Sequence, residues 1–379
     1  MTIGFITKED PLDKRSWSGT LYKMFNSLEK QDYNVVAIGP VKLNIFVSFF
    51  LNIILLLNTI ISYIFYKKKY NKSHNRLVSL VHSKFFEKKI KKASIDIIFA
   101  PAASTQIAYL NIEIPIFYYS DATLSLLIDY YEPFSRLSKY SIEESINIEQ
   151  RAINNSIAQI YPSKWALKSA LIDYKAKNTY LVSLGANIDN IPAKNFNKNF
   201  DSTFELLFVG VDWERKGGDI VFDTFEKLLN KGYDISLTIV GTTPPKTHPK
   251  IKVIPFLNKN NKEELLILEE LLKCSHLFFL PTRAECYGIV FCEANAYGIP
   301  VISTDTGGVS SVIQNGVNGF LLPIDAKSDE YSSIIEKLIL DKNKLKKLSE
   351  TSRIKYESDL NWDVWGSKMK IIFEENINK

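Results

Sequence analysis

The sequence predicts an α/β protein of two domains, each built on a mostly parallel sheet. Three observations predict this. Short apolar runs such as His276-Leu277-Phe278-Phe279-Leu280 end at a breaker, here Pro281, and read as parallel strands buried on both faces. A loop and then a helix follow such runs: Gly288 permits a tight turn and Ile289 to Tyr297 can form one helix. Finally, 379 residues with 46% hydrophobic content leave room for two cores. An Asn- and Lys-rich stretch at 190–203 separates them.

In chain order, Ile3 to Thr7 reads as the first strand, and the loop Lys8 to Ser18 leads to Gly19 and a helix ending near Lys30. Val35 to Gly39 reads as the second strand. Leu43 to Tyr66 is a run of 24 residues without a charge, long enough to span a bilayer. Its polar residues Asn44, Ser48, Asn52, Asn58, Thr59 and Ser62 fall within a stripe of roughly 120° on one helical face. Spanning would place the first two strands across the membrane from the sheet they join, so the segment is expected to lie in the interface or to dock on its domain. Ten cations follow between Lys67 and Lys92, against the single acid Glu87. Such a cluster suits an anionic membrane surface; the alternative is a buried helix followed by a solvated basic one. No aromatic residues interleave these cations in the manner of a nucleic-acid module, so no nucleic-acid partner is expected.

Ile95 to Ala100, Ile114 to Tyr119 and Ala158 to Tyr161 read as further strands, and Ile142 to Asn154 as a helix. Phe204 to Gly210 opens the second domain. The turn Val211-Asp212-Trp213-Glu214-Arg215-Lys216-Gly217-Gly218 then places two cations and two glycines before a helix over about Asp219 to Asn230. This arrangement suits a diphosphate, because the glycines let the backbone approach and the cations neutralise charge. Ile235 to Gly241 reads as a strand, Lys262 to Lys273 as a helix, and a helix is expected after Thr306-Gly307-Gly308. Glu285 then sits in a strand-to-helix loop and Glu293 one turn into the helix, so both carboxylates can serve one crevice above the strand ends.

The stretch Pro281-Thr282-Arg283-Ala284-Glu285-Cys286-Tyr287-Gly288, with Glu293-Ala294-Asn295-Ala296-Tyr297-Gly298-Ile299-Pro300-Val301, resembles the donor site of retaining GT-B glycosyltransferases of family 4, the glycosyl transferases group 1. The Glu-x7-Glu pair, the glycine after the first Glu and Gly-x-Pro-Val all match; Tyr287 stands where Phe is common, and Ser310 and Ser311 where Glu is common. Ser16-Trp17-Ser18-Gly19-Thr20 resembles the glycine loop of the family's N-terminal domain, although Gly19 alone also reads as a helix-start glycine.

The resemblance implies two Rossmann-like domains facing across a cleft. Residues 1–189 would form the acceptor-side domain with a membrane-contact region at 43–92, residues 190–203 a linker, and residues 204–358 the nucleotide-sugar domain. Residues 359–379, with Trp362 and Trp365, would return to the first domain. It further implies a retaining transferase that moves a sugar from a UDP- or GDP-linked donor to a lipid-linked or cell-surface glycan. Donor binding falls to Gly19, Gly210, Arg215, Lys216, Glu285, Tyr287, Gly288, Ile289, Val290 and Glu293. Arg215 and Lys216 would stabilise the leaving diphosphate, Glu285 would hold the donor sugar and Glu293 the ribose. Asp121, in the loop Ser120-Asp121-Ala122-Thr123, is the acceptor-side candidate, with helix capping as the alternative. No metal and no bound cofactor is expected, since the chain has no Asp-x-Asp.

The competing readings are a GT-B nucleotide-sugar epimerase and a non-catalytic nucleotide-sugar-binding subunit. Cys274, Cys286 and Cys292 show no metal-ligand spacing and cannot all pair, which points to a reducing compartment. Met1 leads directly into the strand-like run Thr2 to Thr7, so no secretory signal is expected. The expected location is the inner face of the plasma membrane.

Overall fold

The computed structural model describes residues 1–193, 198–200 and 203–377. Part of the expected linker, 194–197 and 201–202, lies outside the described residues, as do 378–379. The chain divides into two compact units, Met1–Ser16 with Leu21–Val182 and Gly366–Lys379, and Trp17–Thr20 with Ser183–Trp365. Residues 183–189, assigned to the first domain from the sequence, therefore count with the second unit. Hydrogen bonds hold them there: Ala186 N–H donates to Leu360 O at 3.0 Å and Ser183 Oγ to Asp359 at 2.9 Å.

The first unit carries six parallel strands: β1 (Thr2–Phe5), β2 (Asn34–Ala37), β3 (Ile97–Pro101), β4 (Ile116–Tyr119), β5 (Ala158–Tyr161) and β6 (Thr179–Leu181), in the order β2-β1-β3-β4-β5-β6. Every residue of β3, β4 and β5 is buried, as expected for inner strands of a helix-covered parallel sheet. From Gly366 on, the final helix (Trp362–Ile377) belongs to this unit, where Phe373 meets Phe117 edge-on at 4.7 Å. After β4 the helix that Asp121 could have capped is one turn, Leu124–Leu127, with Thr123 at its N-cap. Asp121 is therefore two residues short of the capping position.

The charge-free segment forms a single helix, Ile45–Tyr66. By length and composition it could cross a membrane. Its polar stripe, however, is the side that meets the unit. Leu51, Leu55 and Ser62 are buried, Ser48, Asn58 and Thr59 half-buried, and Ser62 Oγ donates to Lys69 O at 3.2 Å. Leu51 and Leu55 pack with Tyr70 and Val78. On the other side fifteen large apolar side chains stand in solvent, from Ile53 at 38% to Ile45 at 77% exposure. The basic stretch that follows forms a second helix, Arg76–Ile90.

The second unit repeats the plan with β7 (Phe204–Val209), β8 (Ile235–Val240), β9 (Ile251–Ile254), β10 (Leu277–Leu280), β11 (Val301–Thr304) and β12 (Gly319–Leu322), all parallel, ordered β12-β11-β10-β7-β8-β9. The order reverses between β7 and β10. Loops leaving the carboxyl ends of those neighbours diverge there and leave a crevice, the place where open α/β sheets bind ligands. The helix expected after Gly307-Gly308 is only a 3-10 turn, Val309–Ser311.

Candidate functional site

The turn after β7 is built by its own backbone. Asp212 Oδ1 accepts from Arg215 N–H at 3.0 Å, Asp212 O from Lys216 N–H at 3.0 Å, and Trp213 O from Gly218 N–H at 2.8 Å. Gly210, at the strand end, leaves room that a Cβ would fill, 3.0 Å from Lys216 Cγ. Gly217 is left-handed (φ 72°) at the N-cap of the Gly218–Asn230 helix. A Cβ at Gly217 would collide with the carbonyl of Pro281. Only glycine combines that dihedral with that approach.

This close approach locks the β7 turn to the β10 loop. Arg283 N–H donates to Arg215 O at 2.7 Å, and Arg215 Nη1 donates to Ala284 O at 3.0 Å. Lys216 and Glu285 form an ion pair whose side chains are only 11% and 13% exposed. The Arg283 guanidinium grips Asp219 at 2.9 and 2.7 Å, which raises the arginine and holds Asp219 below the usual carboxylate range. The loop after β11 joins them: Gly308 N–H donates to Glu285 O at 3.2 Å.

The β10 loop ends at Gly288 (φ 88°), the N-cap of the Ile289–Ala296 helix. Ile289 and Val290 occupy its first turn, where helix geometry leaves N–H groups without intrahelical acceptors. Such a terminus favours an anion. Glu293 is 2% exposed and pairs with Lys259 from the loop after β9. Tyr287 is also buried, and its hydroxyl accepts from Leu184 N–H at 3.1 Å, so its side chain serves packing and only its backbone lines the loop.

The second unit thus brings together Gly210, Arg215, Lys216, Glu285, Tyr287, Gly288, Ile289, Val290 and Glu293 on loops that flank the reversal of strand order. Gly19 (φ 90°) follows two more left-handed residues, Trp17 and Ser18, and the Asn187 amide holds this turn by donating to Ser18 O and Thr20 Oγ1, both at 3.0 Å. Asp121 belongs to the first unit, half-buried after β4. Two participants escaped the sequence reading, Lys259 and the Arg283–Asp219 pair. No spacing rule connects Lys259 to a carboxylate 34 positions later. Among the described residues no cluster of three or more His, Cys, Asp or Glu could hold a metal ion.

This loop set lies within residues 190–355, which match the family model described as Glycosyl transferases group 1. The chain carries a glycosyl transferases group 1 domain. The capsular polysaccharide biosynthesis glycosyltransferase CapM of Staphylococcus aureus is 24% identical over 199 residues, 49% of this chain and 51% of CapM. An uncharacterized glycosyltransferase of Methanocaldococcus jannaschii is 29% identical over 178 residues, 45% of this chain and 47% of that protein. The chain spans about half the length of the curated relatives it matches. The fold likeness is longer. Sucrose-phosphate synthase from Thermosynechococcus elongatus matches with a TM-score of 0.68 at 14% identity, over 99% of this chain and 98% of that one. The lipopolysaccharide outer core galactosyltransferase WaaB gives 0.64 at 15%, over 99% and 100%. The group 1 domain here is thus the second Rossmann-like unit of a GT-B fold, the expected class.

Proposed function

We propose that this protein is a retaining glycosyltransferase that uses a nucleotide-sugar donor and acts on a lipid-linked or surface-glycan acceptor of the capsule or lipopolysaccharide type. The observation that carries the reading is the interlocked loop pair at the strand reversal. Arg215, Lys216 and the helix start at Gly288 gather positive potential, and the acceptors Glu285 and Glu293 flank it. A sugar diphosphate presents the complementary pattern, with anionic oxygens in the middle and hydroxyls at both ends. The resemblance of CapM and WaaB points the same way.

A glycosyl diphosphate is a poor electrophile until its phosphate departs. As the C1–O bond breaks, negative charge gathers on the leaving oxygen, and each positioned donor there lowers the barrier by about 3 kcal/mol. Arg215, Lys216 and the N–H groups of Ile289 and Val290 take this role. Glu285 accepts from donor-sugar hydroxyls and Glu293 from the ribose. The acceptor hydroxyl attacks the same face of C1, and its proton passes to the leaving phosphate, so no separate base is required. The donor is a co-substrate and no metal is assigned a step. Asp121 is the acceptor-side carboxylate of this reading.

The second element is location at the inner face of the plasma membrane. The Ile45–Tyr66 helix docks by its polar stripe and turns fifteen large apolar side chains outward. Beside it Lys67, Lys68, Lys72, Arg76 and Lys84 are exposed, each worth ~1 kcal/mol near an anionic surface. A helix lying in the interface keeps Leu51 and Leu55 in their cluster with Tyr70 and Val78, whereas crossing the bilayer would strip them from it.

The test is donor turnover against a panel of UDP- and GDP-sugars, opened with UDP-glucose because Anabaena HepE was crystallised with it. The wild type is expected to turn over at least one donor, and Lys216→Ala and Glu293→Ala to abolish that turnover. Binding without any turnover would favour the non-catalytic reading instead.

A further inference from the structure

The partner of Glu293 deserves a role of its own. Lys259 arrives from a turn that is tightly bonded: Asn258 N–H donates to Glu264 at 2.6 Å, Asn261 N–H to Asn258 O at 2.8 Å, and Asn260 N–H to Asn258 Oδ1 at 3.0 Å. Asn261 then caps the Lys262–Cys274 helix. The turn delivers the ammonium to Glu293 Oε1, where the two side chains are 18% and 3% exposed. A carboxylate this deep is unfavourable without a counter-charge, and among the described residues Lys259 is the cation that pairs with it. No second hydrogen bond to the Glu293 carboxylate is found among those residues, so Oε2 remains an open acceptor.

We propose that Lys259 is a positioning residue for nucleotide binding, holding Glu293 in one orientation so that its free oxygen meets the vicinal hydroxyls of a ribose. This rests on the donor-site reading above, in which Glu293 faces the ribose. A carboxylate free to rotate loses the alignment that two adjacent hydroxyls demand. The ammonium keeps further N–H donors. Arginine preserves the charge and methionine only the length, so the pair of variants separates charge from bulk.

The experiment measures UDP and GDP binding by calorimetry, with donor KM and kcat, in the full chain and in Lys259→Met and Lys259→Arg. Lys259→Met is expected to weaken binding of the preferred nucleotide and to raise donor KM by about tenfold, with kcat changed by less than about twofold, as loss of one charge-assisted contact implies. Lys259→Arg should recover most of the affinity. The wild type should also prefer UDP over 2′-deoxy-UDP (or GDP over 2′-deoxy-GDP), and that preference should shrink in Lys259→Met. A merely structural lysine would not move it. Thermal unfolding is followed in parallel; if the methionine variant fails to fold, Lys259→Gln carries the same comparison. Unchanged affinity and unchanged ribose preference in a folded variant overturn the proposal. A wild type that binds neither nucleotide overturns the donor-site reading itself, and the role of Lys259 with it.

Discussion

The ion pair between Lys216 and Glu285 supports a quantitative prediction. The two side chains are 11% and 13% exposed and join the β7 turn to the β10 loop. Removing one partner leaves the other charge buried and uncompensated, which costs about 3–5 kcal/mol. Because both groups keep some water contact, the lower end applies, about 3 kcal/mol each for Lys216→Met and Glu285→Leu. In a unit of this size 1 kcal/mol moves Tm by about 2–4 °C, so each single variant should unfold roughly 6–12 °C earlier. The double variant carries no orphaned charge and should recover most of that loss; a residual cost of about 1 kcal/mol, against about 6 for the two singles added together, gives a coupling energy of about 5 kcal/mol. Activity should behave differently. Lys216→Met removes a cation from the leaving phosphate and should lower turnover by about 10²–10³, and adding Glu285→Leu cannot restore it. Thermal and urea unfolding of the four proteins, with donor turnover on the same samples, gives both cycles. If the double variant loses stability equal to the two singles added together, the charges are not coupled and the reasoning fails.

Gly217→Ala places a Cβ at φ 72° against the Pro281 carbonyl; the left-handed backbone alone costs about 1–2 kcal/mol. The expected result is a lower Tm with a larger proportional rise in donor KM, read by melting and steady-state kinetics. On the Ile45–Tyr66 helix, Phe50→Asp and Leu56→Asp charge the outward face, where the side chains are 62% and 54% exposed. They should release the protein from anionic vesicles in a sedimentation assay and leave Tm nearly unchanged, and unchanged sedimentation would refute the membrane role. Burial pushes the Glu149 carboxyl up from 4.5 to about 6, against hydrogen bonds from Leu124 N–H, Tyr174 and Tyr118. The folded state therefore holds this proton more tightly. The stability it confers is present below pH 4.5 and is lost as pH rises through 6, amounting to about 2 kcal/mol. Burial lowers His82 to about 4 and gives the opposite slope, so the comparison is between wild type and Glu149→Gln, whose urea stability should differ in slope across that window.

The central strands were readable because they are buried on both faces: β3, β4 and β10 appear as unbroken apolar runs. The edge strands β6 and β9 were not, since their residues are half-buried or exposed and resemble loops. Gly288 and Gly217 announced the two site turns, both with positive φ. Thr306-Gly307-Gly308 promised a helix on the same logic, yet three residues of 3-10 turn follow.

What the residue order determined alone was local. It set where the backbone turns, which runs are apolar enough to be strands, and which carboxylates and cations sit on strand-to-helix loops. It also carried the resemblance that named their chemistry. What only the tertiary structure decided was partnership: that Lys216 meets Glu285, that Lys259 meets Glu293, and that the polar stripe of the Ile45–Tyr66 helix faces its own unit. Helical and strand periodicity is a property of neighbours in the chain, so it can be read from spacing. Charge pairing across 34 or 69 positions depends on strand order, and it becomes fixed only when β7, β9 and β10 have taken their places in the sheet.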